Sequence, residues 1–328
     1  MPSEGPSRPW IILKRLAPYL IAVVALVWVF RHVDLHEMLL AFRHAPIALF
    51  VAVSAVALVV NCMADTFAMG TVFRWFGCRV PYWDLFFVRA STYLVAVVNY
   101  HVGQAALIGY LYKARKVPLL RATGWILFII GINVGTLFLL ASWGASQASS
   151  ELEILRLVPV ACGVGVVVYS ALLVLKPRIL ANRALLAPLF EMGIPGHVKG
   201  VGVRLPHIGV LLLWHYFSLR AFGIDVTWKA ALLYLPAYFA VSSLPINVNG
   251  LGVAQLVAIE FFSRFAVVPP GTVDVAGAQK ATVIAYSLGT SGVSILLQLV
   301  LGLLCLRRGT VLGLGAPASE PAGEAASS

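Results

Sequence analysis

Long apolar runs recur along most of the 328-residue chain, separated by short segments that carry glycine, proline and charge. Several runs approach the roughly 20 residues that a helix needs to cross a hydrocarbon core about 30 Å thick. Because lipid offers backbone groups no hydrogen-bond partner, a chain of this pattern crosses the bilayer as helices. Hydrophobic residues make up 60% of the chain and charged residues 11%. Soluble domains carry about 25% charge, so this composition excludes a soluble globule.

The runs predict an all-α polytopic integral membrane protein. We expect about eight full spans plus two short broken or re-entrant helices in an inverted-repeat arrangement. The full spans are placed at approximately 12–30, 47–64, 84–98, 121–142, 157–175, 206–222, 229–245 and 281–304. The two short pieces are residues 103–112 and 251–266. The first span has no small-residue cleavage site, so we expect it to be retained rather than removed as a signal peptide.

The net charge of +11 is scattered among loops and forms no patch on a soluble domain, which argues against nucleic-acid binding. The charge distribution instead indicates topology. With the N-terminus inside, sixteen of the 24 lysines and arginines fall on the cytoplasmic side and seven on the other, with Arg89 within a span. This bias predicts that both termini are cytoplasmic.

The chain is interpreted as one transmembrane domain, residues 1–309, followed by a disordered cytoplasmic tail at 310–328. The two halves of the domain are about 10–175 and 176–309, with the inverted repeats centred on 99–104 and 245–255.

Two further segments have amphipathic character. Residues 33–45 predict a short helix on the outer surface. Residues 177–205 predict a cytoplasmic interfacial segment in which glycines and Pro195 break any continuous helix.

The chain has a weak internal symmetry at two interrupted spans. Residues 98–104 and 244–255 each follow an apolar span, interrupt it with Asn and Gly, and reach a glutamine, Gln104 or Gln255, that opens a second apolar piece. Such a break exposes backbone groups that must be buried in protein or line a wet cavity. Interrupted segments at corresponding positions of two inverted halves indicate a transporter site near the membrane midplane. Two coincidental kinks filled by neighbouring helices are the alternative.

At these breaks the chain resembles the lysylphosphatidylglycerol synthase transmembrane-region family, also called flippase-like membrane proteins. The family's first signature is approximately Pro-Gly-Arg-x-Gly-Glu-x-x-Arg, and its second is approximately Pro-x-Ser-x-Gly-Gly-x-Gly-x-Arg-Glu. The residues that fall on these signatures are Asn99, His101, Gly103 and Gln104 in the first, and Pro245, Asn249, Gly250, Gly252 and Gln255 in the second. The order of flanking features also fits over about residues 10–305.

The charges of the family motifs are replaced in this chain. Gln104 and Gln255 stand at the Glu positions, and Leu107 and Ala254 stand at the Arg positions. The loss of both signs together indicates that these charges formed linked interactions. The resemblance implies the fold and, for relatives, translocation of a phospholipid or a lipid-linked glycan. Amides at these positions suit a neutral, hydroxyl-rich headgroup better than an anion.

We predict that the breaks form a polar substrate site with no catalytic residue, metal or cofactor. The predicted substrate-binding residues are Asn99, His101, Gly103, Gln104, Asn247, Asn249, Gly250, Gly252, Gln255 and Arg89. Gln104 and Gln255 are expected to lie near one another at mid-membrane depth, hydrogen-bonded to a headgroup or to each other. Gly250 and Gly252 are expected to tolerate no side chain, in contrast to Gly302 in the last span.

Three other positions carry expectations. Arg89, near Asp84, is expected either to meet a lipid phosphate from the cytoplasmic side or to snorkel towards the headgroups. Glu260 is interpreted as the only acid deep in an apolar piece, more simply paired with Arg264 than serving as a proton relay. Trp214 is expected to pack with its indole N–H satisfied.

The expected function is that of a flippase-like protein, multi-pass in the plasma (inner) membrane, that translocates or binds a polar lipid or lipid-linked glycan. The alternatives are a membrane enzyme acting on a lipid, or a non-catalytic partner of a lipid-modifying enzyme. Against the enzyme, the sequence has no His-rich metal motif, paired carboxylates, nucleophile elbow or phosphate loop. The four cysteines form no C-x-x-C pair and are interpreted as small buried hydrophobes.

Overall fold

The computed structural model describes residues 35–97, 99–147, 157–243 and 253–311, which form helices joined by short turns. The helices are α1 (Leu35–His44), α2 (Ile47–Trp75), α3 (Tyr82–Ala96), α4 (Tyr100–Arg115), α5 (Leu119–Gln147), α6 (Val158–Leu175), α7 (Arg178–Ala181), α8 (Ala187–Ala221), α9 (Trp228–Ser242), α10 (Val253–Phe262) and α11 (Val275–Val311). A single 3-10 turn, Ser263–Phe265, follows α10. The predicted all-α class is confirmed for these residues.

Four helices, α2, α5, α6 and α11, are long and apolar enough to cross a membrane, with mean hydropathies between 1.9 and 2.5 over their most apolar stretches. They contain the predicted spans 47–64, 121–142, 157–175 and 281–304. The predicted span 12–30 lies outside the described residues. The short amphipathic helix expected at 33–45 is present as α1, which packs against α11.

The predicted spans 84–98 and 229–245 correspond to α3 and α9, which have 15 residues each. At 1.5 Å per residue each is about 22 Å long, shorter than the hydrocarbon core. The short pieces predicted at 103–112 and 251–266 are present as α4, with 16 residues, and α10, with 10. Each half therefore contains a long helix, two short helices and a second long helix, and the first half contains α6 in addition.

The expectation that glycines and Pro195 break any continuous helix in 177–205 is confirmed at Gly193. Helix α8 spans 35 residues but consists of two helices joined at a kink, where Gly193 has a non-helical backbone with φ 54°. Pro195 lies in the first turn after this kink, where a missing backbone N–H costs no helical hydrogen bond. The helix after the kink contains Arg204, which was counted among the cytoplasmic loop residues and is buried.

The interpretation of Glu260 as the only acid deep in an apolar piece is wrong. Helix α2 extends eleven residues beyond the predicted end at residue 64, and Asp65 lies within it, 1% exposed. Glu260 itself is exposed on α10, and Arg264 lies over the Tyr234 ring at 5.4 Å. The buried acid of the described residues is therefore in the first half of the chain.

The packing of the long and short helices follows a reciprocal pattern. The most extensive contacts are those of α3 with α11 and of α5 with α9, and α2 packs on α8. Within each half, α3 contacts α4 and α9 contacts α10, while α4 contacts α5 and α10 contacts α11. Helix α3 thus lies on the last long helix of the second half, and α9 lies on α5, a long helix of the first half.

Helices α2 and α8 end in the same way. Both are followed by Phe-Gly, and Gly77 and Gly223 adopt positive φ angles of 83° and 73°. In each case the N–H two residues after the cap phenylalanine donates back to the helix: Cys78 donates to Phe73 O at 2.9 Å, and Ile224 donates to Leu219 O at 3.0 Å. This is a Schellman-type cap that glycine permits without strain.

Gly103 is a position where the fold leaves no room for a side chain. A Cβ built on Gly103 would lie 2.7 Å from the Ala96 Cβ and 3.2 Å from the Ala96 Cα, where α4 turns back against α3. Gly302, which was expected to tolerate a side chain, is also tight: its Cβ would lie 2.8 Å from the Leu94 Cγ. Gly302 is therefore unsuitable as a permissive control, because α11 crosses α3 there.

We expect Gly103→Ala to lower the thermal stability of the detergent-solubilised protein by several degrees, because Ala96 cannot move without shifting α3. The matched control is Gly109→Ala in the same helix, where no described heavy atom lies within 4 Å of the new Cβ. That change should be neutral or stabilising by up to about 1 kcal/mol, since alanine favours the helix over glycine. Equal melting temperatures for the two variants would show that α4 does not hold Gly103 against α3.

Candidate functional site

A polar cavity of about 130 Å³ lies between α8, α9 and α11. Helix α11 lines it with Tyr286, Ser287, Thr290, Ser291, Ser294, Ile295 and Gln298; α8 contributes Trp214 and His215, and α9 contributes Tyr238, Phe239 and Ser242. The volume is well above the roughly 10–15 Å³ that one water needs. The lining carries seven hydroxyl groups, an amide and several aromatic rings, and it includes no Asp, Glu, Lys or Arg.

Two hydroxyl groups of this cavity lack a partner. Neither the Tyr286 hydroxyl nor the Thr290 Oγ1 makes a hydrogen bond to any described residue, although both atoms are buried. A buried polar group without a partner costs about 1–3 kcal/mol, so native proteins seldom keep one without a reason. The aromatic walls and unsatisfied hydroxyls together suit a neutral ligand that has both apolar faces and hydroxyl groups.

The predicted residue Gln255 lies beside this cavity. It is 0% exposed on α10 and its Nε2 lies 3.4 Å from the Oγ of Ser287, which lines the cavity. The Tyr238 hydroxyl lies near the same serine. Gln255 therefore reaches the cavity wall through Ser287 and helps to hold its polar face in place.

A second polar site is a buried ionic cluster that joins three helices. Asp65 on α2 accepts from Arg89 Nε on α3 at 2.6 Å and from Arg204 Nη1 on α8 at 2.5 Å. We call these three residues the arginine–aspartate cluster. Arg204 Nε also donates to Asn133 Oδ1 at 3.0 Å, and Arg89 lies over the Tyr93 ring at 5.3 Å. The cluster thus links the first half of the chain to the second through buried charges.

Trp214 borders both polar sites. Its indole Nε1 donates to the Ser54 Oγ at 2.9 Å, which confirms the expected satisfied indole. Trp214 lines the cavity, and it also belongs to the hydrophobic cluster that contains Cys62 and Tyr93. Since Tyr93 packs under Arg89, one packed region separates the cavity from the arginine–aspartate cluster.

The structure places the predicted residues of the first break in different surroundings. Asn99 caps α4, accepting from the His101 N–H at 2.8 Å, and the His101 side chain is exposed. Gln104 is 4% exposed. Gly103 gives the close approach of α4 to α3 described above. Only Gln104 of this set is a buried polar group.

The remaining predicted residues divide into those described and those outside. Arg89 is buried with Asp65 and does not meet Asp84, which lies 3.7 Å from Arg115 instead. Arg89 therefore neither snorkels nor faces the headgroups directly. The second-break residues lie outside the described residues: Asn247, Asn249, Gly250 and Gly252.

Gln104 and Gln255, which were expected to bond to a headgroup or to each other, do not bond to each other. Neither amide atom of Gln104 has a hydrogen-bond partner among the described residues, and Gln255 is directed to Ser287. Helix α4 packs on α3 and α5, whereas α10 packs on α9 and α11. The two glutamines therefore serve separate polar sites, Gln104 beside the arginine–aspartate cluster and Gln255 beside the cavity.

Sequence reasoning missed Asp65, Arg204 and the polar stripe of α11. The signal for Asp65 was the apolar run that continues beyond it to Trp75, which makes Asp65 an acid within a span. The signal for the stripe was the four-residue spacing of Tyr286, Thr290, Ser294 and Gln298, which places them on one helix face. Comparison with protein-family models, curated proteins and solved structures gives no significant match.

Proposed function

We propose that the protein binds a polar lipid and moves its headgroup across the membrane through the cavity between α8, α9 and α11. The observation that carries this proposal is the pair of buried, unpartnered hydroxyls of Tyr286 and Thr290 in a cavity without charged residues. Hydroxyls of a sugar or polyol headgroup would satisfy both groups, and the rings of Trp214 and Phe239 would pack on the apolar faces of that headgroup.

We further propose that the two halves of the chain are inverted repeats. The order of long and short helices supports this, as do the exchanged contacts of α3 with α11 and α5 with α9, and the shared Phe-Gly caps after α2 and α8. If α3 and α4 form a re-entrant hairpin, the chain crosses the membrane three times between the start of α2 and the start of α8. An odd number of crossings reverses the orientation of the second half, as in many transporters.

The repeat relates the two polar sites. Aligned at their caps, α3 of the first half corresponds to α9 of the second, and α2 corresponds to α8. Asp65 and Arg89 of the arginine–aspartate cluster lie on α2 and α3, and the corresponding helices α8 and α9 line the cavity together with α11. The proposal includes kinship with the lysylphosphatidylglycerol synthase transmembrane-region family and a plasma-membrane location with cytoplasmic termini. Placing Arg204 inside α8 removes only one residue from the cytoplasmic charge bias.

The binding part of the proposal is tested by removing the two unpartnered hydroxyls with Tyr286→Phe and Thr290→Val. Because neither hydroxyl has a partner among the described residues, stability should be unchanged or higher in both variants. Affinity for a short-chain diacylglycerol glycoside should fall about five- to tenfold for each hydrogen bond lost, as expected for roughly 1 kcal/mol or slightly more. Ligand-dependent shifts in melting temperature measure both quantities.

The matched control is Tyr110→Phe in α4, remote from the cavity. The Tyr110 hydroxyl accepts from Arg115 Nε at 3.0 Å, and the residue is 1% exposed. This variant should lose stability and keep its glycoside affinity. The reverse pattern, with Tyr286→Phe destabilised and its glycoside affinity unchanged, would contradict a ligand role for the cavity.

A further inference from the structure

The arginine–aspartate cluster carries more positive than negative charge. Two guanidinium groups surround one carboxylate, and Asp65, Arg89 and Arg204 are the charged residues that are buried within the described ranges. An uncompensated charge in a low-dielectric interior is costly unless a counter-charge or hydrogen bonds balance it. The cluster is therefore one negative charge short of neutrality.

Both arginines keep unused donors. Arg89 donates through Nε to Asp65 and through Nη1 to Thr92, and Arg204 donates through Nη1 to Asp65 and through Nε to Asn133. The Nη2 groups of both arginines donate to no described residue. Guanidinium groups with free N–H donors bind phosphate oxygens well, because their planar fork matches the spacing of those oxygens.

The side chain of Gln104 adds a second, independent observation at the same place. Only 4% of Gln104 is exposed, and both of its amide atoms lack a hydrogen-bond partner among the described residues. A Cβ built on Gly103, the residue before Gln104, would lie 3.4 Å from the Thr92 carbonyl oxygen, and the Thr92 hydroxyl accepts from Arg89 Nη1 at 3.3 Å. Gln104 is in the first turns of α4, whose N-terminal end favours negative charge.

We propose that the arginine–aspartate cluster and Gln104 bind the singly charged phosphate ester of the lipid that the protein moves, at a different step from the one in which the headgroup occupies the cavity. One phosphodiester supplies the missing negative charge and accepts from the free Nη2 groups and the Gln104 amide. The proposal rests on the proposed function and narrows its substrate class to lipids in which a phosphate ester carries a hydroxyl-rich headgroup.

The site is closed in this structure. The Arg89 and Arg204 side chains are 8% and 7% exposed, and Tyr100 and Gln104 stand at the start of α4 beside them. A phosphate ester reaches the guanidinium groups when these two side chains turn aside.

The test uses the full-length protein in maltoside detergent without phospholipid, and thermal shift as the readout. The probes are short-chain phosphatidylglycerol, the uncharged short-chain diacylglycerol glycoside and inorganic phosphate. The phosphatidylglycerol should raise the melting temperature saturably, and Arg204→Gln should weaken its affinity at least tenfold, as expected for losing a charge-assisted hydrogen bond. Arg204→Gln keeps the Asp65–Arg89 pair balanced, so it should fold. Arg121→Gln, which removes a surface arginine paired with Glu191, should leave the affinity unchanged.

A second variant separates a binding site from a purely structural ion pair. Asp65→Asn raises the net charge of the cluster to +2. This variant should therefore have a lower melting temperature and a higher affinity for phosphatidylglycerol. Equal stabilisation of wild type and Arg204→Gln, or no effect of either phosphate probe on wild type, would overturn the proposal. An effect of inorganic phosphate equal to that of the lipid would support the anion site and assign it to free phosphate.

The two proposals fail separately. Loss of phosphatidylglycerol affinity in Arg204→Gln, with unchanged glycoside affinity in Tyr286→Phe, would leave the phosphate site standing without the cavity. Loss of glycoside affinity in Tyr286→Phe, with unchanged phosphatidylglycerol affinity in Arg204→Gln, would support the cavity and contradict the phosphate site.

Discussion

Replacing Asp65 with leucine should abolish most of the folded protein. The change leaves Arg89 and Arg204 as two buried guanidinium groups without a counter-charge. Removing one partner of a buried ionic network costs about 3–5 kcal/mol, and the total stability of a domain is only about 5–15 kcal/mol. We therefore expect a melting temperature lower by ten degrees or more, in line with the roughly 2–4 °C per kcal/mol of larger domains.

The matched control is Asp84→Leu, since Asp84 lies 3.7 Å from Arg115 and 36% of its side chain is exposed. Exposed pairs are worth about 0–1 kcal/mol, so this variant should melt close to wild type. The triple variant Asp65→Leu, Arg89→Met, Arg204→Met should recover the stability lost by Asp65→Leu, because an apolar cluster of similar volume is often neutral or stabilising. A triple variant as unstable as the single one would show that Asp65 acts through something other than charge balance.

Filling the cavity should stop lipid movement without unfolding the protein. Ser291 lines the cavity on α11 and is partly exposed to it, so the indole of Ser291→Trp takes up the space that a headgroup would occupy. We expect the rate of lipid movement in proteoliposomes to fall at least tenfold, which corresponds to about 1.4 kcal/mol in the free energy of the occupied state. Melting temperature and insertion yield should stay near those of wild type.

The neighbouring residue provides the control. Gly292 is exposed, and no described heavy atom lies within 4 Å of a Cβ built on it. Gly292→Trp adds the same indole to the same helix on a face away from the cavity, and should leave the rate unchanged. If both variants slowed movement equally, the effect would come from α11 as a whole and not from the cavity.

The sequence predicted the architecture where physical signals are local. Apolar runs predicted the helices, and Asn and Gly at the first break predicted the end of α3 and the start of α4, because these residues weaken a helix and Asn99 caps the next one. The short lengths of α4 and α10 followed from the same breaks. Gln255 was expected beside a polar site, and its Nε2 donates to Ser287, which lines the cavity.

The parts that sequence could not provide depend on contacts between distant helices. Asp65 lies in an apolar run only because Arg89 and Arg204, 24 and 139 residues away, neutralise it. A charged residue normally marks the end of a span, so the predicted boundary was placed just before Asp65. Arg204 was likewise assigned to a loop, because the next span was predicted to begin at about residue 206. In the structure the helix begins directly after the kink at Gly193 and contains Arg204.

The cavity was hidden for a different reason. Serine and threonine change the mean hydropathy of a span only slightly, so α11 reads as an ordinary apolar helix with mean hydropathy 1.9. Its function as a wall of the cavity depends on which face α8 and α9 leave uncovered. That information comes from packing and is carried by no single residue.

The proposal that lipids move through this cavity is tested most directly by measuring lipid movement across the membrane of liposomes that contain the purified protein. Fluorescent phospholipids with a hydroxyl-rich headgroup, such as glycerol, would be compared in protein-free, wild-type, Ser291→Trp and Gly292→Trp liposomes. We predict faster movement with wild type and Gly292→Trp than in protein-free liposomes, and movement near the protein-free rate with Ser291→Trp. A wild-type rate equal to that of protein-free liposomes for every headgroup would contradict the proposal that this cavity moves lipids.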